Sequence, residues 1–131
     1  MTIARPPVRR AKSIAARTFG AMLAADNLVL AHETMAHFAN WITPERRPKR
    51  FDVHFFLAAA PSDQVALHDG YEAVDSVWIA PAHAMERAAA GVYQLRFPTR
   101  MNLQKLGRHP LTGAAIDAAR ASRVVTVMTR P

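Results

Sequence analysis

The clearest pattern of apolar and polar positions runs from Arg50 to Ala58. Phe51, Val53, Phe55 and Leu57 alternate with Asp52, His54 and Phe56, the period-two signature of a strand with one buried face. A second strand is expected near Phe38–Ile42. A third is expected over Glu72–Ile79, bearing Trp78, and Val124–Met128 is either a short last strand or a tail. Helical spacing of Phe19, Met22 and Leu23 predicts a helix from a Ser13 cap to about Ala25, with Asp26-Asn27 turning the chain after it. Pro81 opens a further helix at a position where its missing N–H costs nothing, and Gly91 ends it. Thr99 caps a helix closed by Gly107, and Thr112 caps one running to about Ala121. The prolines and charges of Thr43–Lys49 mark a loop, and Pro61–Gly70 is a polar connection. Strands and helices in this order give an α+β class. A basic, disordered leader is expected over residues 1–12, and a domain over 13–131.

The 131 residues suit one core, and a mean hydropathy of −0.04 with half the residues apolar is globular composition. No apolar run is long enough for a membrane span, so no membrane partner is expected. There is no cysteine, which removes disulfides, thiolate nucleophiles and cysteine-ligated metals and is compatible with a reducing, cytoplasmic setting. The acid-free, arginine-rich start up to Ala25 is compatible with a transit segment, an exposed leader or a truncated beginning. A net charge of +7 favours phosphate-bearing partners, nucleotide or nucleic acid, without choosing between them.

Candidate chemistry is sparse. The five glycines form no phosphate-cradling loop, and no serine sits in a nucleophile elbow. His32-Glu33-Thr34-Met35-Ala36-His37 is one residue too long for a zinc-protease helix: its two histidines would point about 140° apart on a helix, at about 100° per residue. On a strand they would lie on opposite faces. No metal-ligating residues are assigned. Of the other histidines, His54 stands out because it lies on the less apolar face of the strongest strand. Arg46, Arg47, Lys49 and Arg50 cluster beside Trp41, Phe51 and Phe55. Such a loop can grip a diphosphate through guanidinium forks, bind nucleic acid, or simply be solvated. Asp69, Glu72 and Asp75 form the acidic cluster, but on a strand Glu72 and Asp75 face opposite ways.

Five segments occur in order: Trp41-Ile42-Thr43-Pro44-Glu45, Arg50-Phe51-Asp52-Val53-His54-Phe55-Phe56, His68-Asp69-Gly70-Tyr71-Glu72, Ser76-Val77-Trp78-Ile79-Ala80-Pro81 and Phe97-Pro98-Thr99-Arg100-Met101-Asn102-Leu103. Together they resemble the part of Nudix hydrolases that follows the Nudix box, in the subgroup of the peroxisomal coenzyme A diphosphatases and their bacterial relatives. The resemblance implies a partial α/β/α sandwich around a mixed sheet. It also implies Mg²⁺- or Mn²⁺-dependent hydrolysis of a diphosphate linkage in a nucleotide derivative such as coenzyme A. It marks Glu72 as an auxiliary metal ligand or base, and Arg46, Arg50 and His54 as substrate-binding residues. Trp41 and Trp78 are expected in the core or a pocket wall.

The box itself is absent. The chain has no Arg-Glu and no Glu-Glu dipeptide, and Asp26 is the only acid before Leu28. Without clustered carboxylates a hard divalent cation has no first shell, so the chain is expected to hold Mg²⁺ or Mn²⁺ weakly and to be inactive alone. The alternative is a non-catalytic basic module that binds a nucleotide, RNA or a protein partner. A half-sandwich would also leave a sheet face or edge open to homo-oligomer formation.

Overall fold

The computed structural model describes residues 18–62, 68, 70 and 75–128. The chain divides into two compact units, Met1–His32 and Glu33–Pro131.

In the first unit, α1 (Phe19–Ala25) begins where the Thr18 hydroxyl accepts the Ala21 amide at 3.3 Å, as a helix N-cap does. It ends in a Schellman motif. Asn27 takes a left-handed φ of 51°, the Leu28 amide donates to the Leu23 carbonyl at 2.8 Å, and the Asn27 amide donates to Ala24 at 3.3 Å. The turn expected at Asp26-Asn27 is this cap. The expected helix start at Ser13, and the leader over 1–12, lie outside the described residues.

The second unit is α+β, with a three-stranded mixed sheet in the order β2-β1-β3. β1 (Ala36–Ile42) pairs antiparallel with β2 (Asp52–Leu57) and parallel with β3 (Thr126–Met128). Among the described residues, three helices follow the hairpin: α2 (Pro81–Ala89), α3 (Phe97–Leu106) and α4 (Thr112–Ala121). The core joins Ala36 and Phe38 of β1 to Ile116 and Ala119 of α4, with Phe55, Leu57 and Leu106 half-buried around them. Phe38 and Ile116 are the only buried apolar side chains larger than alanine among the described residues.

The register is interrupted once. Ala36 faces Leu57 and His37 faces Phe56, but Ala39 faces Phe55, so Phe38 is an extra residue in β1. Such a bulge reverses the alternation of side chains beyond it. His37 and Asn40, three positions apart, therefore share the face of Phe56, His54 and Asp52. Ala36, Ala39 and Trp41 share the face of Leu57, Phe55 and Val53.

α2 opens at Pro81 and closes in a second Schellman motif, with Gly91 at φ 75° and the Val92 amide donating to Arg87 at 2.9 Å. α3 starts two residues before the expected Thr99. Pro98 sits in its first turn, and Arg96 supplies the extended cap conformation. Thr112 is the first helical residue of α4 rather than its cap, which is Leu111.

One expected strand is corrected. Residues 75–79, the described part of Glu72–Ile79, form no strand and have no ladder partner among the described residues. Trp78 is accordingly 77% exposed, not a core or wall residue. The apolar Val77-Trp78-Ile79 run has strand propensity, but propensity alone does not create a strand without a neighbour to complete its hydrogen bonds.

Candidate functional site

Two groupings of polar side chains stand out in the second unit. The first is a cleft of about 380 Å³ between β1, α3 and the segment leading into β3, within the size range of small-molecule sites. Its wall is built from Trp41 and Asn102. The indole N–H of Trp41 donates to Asn102 Oδ1 at 3.1 Å, and Phe97 packs edge-on against the indole with centroids 5.8 Å apart. An indole can only donate, so this bond fixes the amide with its oxygen toward Trp41. The Asn102 Nδ2 is left buried without an acceptor, on a residue only 8% exposed. An unmet buried donor is costly, on the order of 1–3 kcal/mol.

Lys105, Arg108 and Arg123 bring three cations to the same cleft, and its lining contains no acid. Lys105 is held in place. Its Nζ donates to the Phe38 carbonyl at 2.7 Å and lies 4.2 Å from the centre of the Phe38 ring. An ammonium has three N–H donors, so this bond leaves others for a ligand. None of the three cations forms an ion pair with a carboxylate among the described residues. The cleft does not fit Mg²⁺ or Mn²⁺, which need oxygen ligands and usually a carboxylate.

The second grouping lies on the hairpin face that the bulge assembles. Asn40, only 4% exposed, donates through Nδ2 to Asp52 Oδ1 at 2.5 Å and to the Val53 carbonyl at 3.4 Å. His54 Nε2 lies 3.4 Å from Asp52 Oδ1, and His54 Nδ1 lies 3.1 Å from His37 Nε2. The His37 ring stacks on Phe56 with centroids 5.0 Å apart and planes inclined at 26°.

The expected site residues separate. His54 belongs to the hairpin network. Arg46 and Arg50 lie in the β1–β2 connection, where Arg50 Nε donates to the Thr43 carbonyl at 3.2 Å and the Thr43 hydroxyl accepts the Phe51 amide at 3.1 Å. None of these three lines the cleft. Glu72 lies outside the described residues, as does Asp69, and Asp75 Oδ1 accepts the Ser76 amide at 2.8 Å. Among the described residues no group of three or more His, Asp or Glu side chains is placed to hold a metal ion. No helix among them is long and apolar enough to cross a membrane.

Lys105, Arg108 and Arg123 escaped the sequence reading because no short motif joins them. They meet only when β3 returns to β1 and α3 lies alongside. The amphipathic signal of α3 shows nothing of this, since its buried residue is the polar Asn102.

Comparison of the chain with protein-family models, curated proteins and solved structures returns no match.

Proposed function

We propose that this chain is a Nudix-like polypeptide without a cleaving centre of its own, acting in the cytoplasm as a binding module for a nucleotide-like diphosphate. The observation that carries the reading is the acid-free cleft, where Lys105, Arg108 and Arg123 converge beside an Asn102 amide that lacks an acceptor. Phosphate oxygens would match the three cations, and guanidinium forks pair well with phosphate. Trp41 offers an apolar wall for a base or pantetheine-like arm, in the way that pockets combine an apolar body with a few polar anchors. The absence of a box helix in the sequence supports the non-catalytic half of the proposal. Mg²⁺ or Mn²⁺ would arrive with the ligand or with a second polypeptide rather than be held tightly by this chain.

The test is calorimetric titration with ADP and with coenzyme A, at low and moderate salt. Saturable binding should weaken as salt rises. Arg108→Gln and Arg123→Gln should each lower affinity about tenfold, equivalent to about 1.4 kcal/mol. Binding indifferent to both substitutions would refute the cleft as the site. Hydrolysis of either ligand in Mg²⁺ at rates typical of enzymes would refute the non-catalytic reading.

A further inference from the structure

The two histidines on the open face of the hairpin face each other through ring nitrogens, and their surroundings hold them there. His37 sits on β1 and His54 on β2. Neither is an opposite pair in the ladder, since His37 faces Phe56 and Asn40 faces His54. The nitrogens meet diagonally, at 3.1 Å, since His37 pairs with Phe56, two residues from His54 on the same face. Phe56 stacks on the His37 ring and sets its plane. Asp52 stands at 3.4 Å from the far nitrogen of His54, Nε2.

We propose that His37 Nε2 and His54 Nδ1 are the two protein ligands of a surface site for one divalent transition-metal ion, with Asp52 as the positioning residue for His54. The spacing agrees with the chemistry. At an imidazole-to-zinc distance of about 2.05 Å, two nitrogens 3.1 Å apart subtend about 98° at the ion. That angle lies between the tetrahedral and right-angled values that zinc, nickel and copper accept. Ligation through His54 Nδ1 requires the proton on Nε2, the nitrogen that lies 3.4 Å from Asp52 Oδ1. This is the carboxylate–histidine–metal relay that fixes tautomer and ring orientation in metal sites. In that tautomer the 3.4 Å approach of Asn40 Nδ2 to His54 Nε2 is a packing contact, and the Asn40 amide bonds to Asp52 instead, orienting the carboxylate in turn. The site is open to water, with the His54 and Asp52 side chains 48% and 58% exposed, so solvent completes the coordination shell. Two imidazoles without an oxygen ligand select against Mg²⁺ and Ca²⁺. The other account of a 3.1 Å pair, one ring donating its N–H to the other, needs no ion, and the experiment separates the two.

Full-length protein freed of metal with a chelator is titrated with Zn²⁺ by calorimetry at pH 7.5. One saturable site per chain is expected, together with a zinc-dependent rise in melting temperature. His37→Gln and His54→Gln should each reduce affinity more than tenfold, and Asp52→Asn by about 10–100-fold, while His83→Gln on α2 should bind as the parent does. Chelated melting curves show whether each variant is folded. If one is not, ¹⁵N side-chain spectra of the parent give the same answer, with zinc shifting His37 Nε2 and His54 Nδ1 selectively. No saturable site in the parent, zinc shifts at other histidines, or retained affinity in the His37→Gln, His54→Gln double variant would each overturn the proposal.

Discussion

Replacing Phe38 by alanine tests the packing and the bulge together. The ring is buried at the junction of β1 and α4, and among the described residues it shares the core with one other large apolar side chain, Ile116. Truncating a buried phenylalanine costs about 3–5 kcal/mol, including the cavity it leaves. The ring also lies under the Lys105 ammonium at 4.2 Å, and losing that cation–π contact adds about 0.5–1 kcal/mol. The hydrogen bond from Lys105 to residue 38 survives, because its acceptor is the backbone carbonyl. The sum is about 3.5–6 kcal/mol. A domain of ordinary size has only about 5–15 kcal/mol to lose, and a core otherwise made largely of alanine places this one at the low end. Urea unfolding followed by far-UV circular dichroism should show the midpoint falling by about 2–3 M, taking a slope of about 2 kcal/mol per molar. Phe38→Leu, which keeps most of the volume, should cost about 1.5 kcal/mol or less. A loss below about 1 kcal/mol for Phe38→Ala would mean that the β1–α4 junction does not carry the stability assigned to it.

Two further outcomes follow from the same geometry. Trp41→Phe leaves both polar ends of the Asn102 amide buried without partners, so it should destabilise by about 1–3 kcal/mol. Adding Asn102→Leu should recover part of that loss, a coupling that a double-mutant cycle measures directly. Gly91→Ala should cost about 1 kcal/mol in thermal unfolding even though an added Cβ meets nothing within 4 Å, because the cost arises from the φ of 75°. A neutral Gly91→Ala would place the end of α2 in a different cap.

How much of this was legible in the sequence depends on what each element is made of. β2 was readable because Phe51, Val53, Phe55 and Leu57 alternate cleanly. α2 was readable because Pro81 and Gly91 punctuate its ends through local backbone chemistry. The α+β class followed from such elements. The bulge was not readable, since an extra residue at Phe38 has no side-chain signature, and strict alternation would place His37 and Asn40 on opposite faces. Trp78 misled for the opposite reason: a strong apolar run suggested a strand, but strand formation depends on a partner outside the run. At the site, His54 was visible from its place on the polar face, whereas its contact with His37 depended on the register that pairs His37 with Phe56. The cations of the cleft come from α3 and the approach to β3, a proximity that only the tertiary fold creates.

The parallel pairing of β1 with β3 also has a temporal consequence. Asn40 and Thr126 are partners 86 residues apart along the chain. At translation speeds of about 5–20 residues per second, the ribosome needs about 4–17 s after making Asn40 to supply the strand that completes the sheet. During that interval the hairpin can form but its outer ladder stays unmatched, so the nascent chain is most vulnerable to misassembly before its last strand emerges.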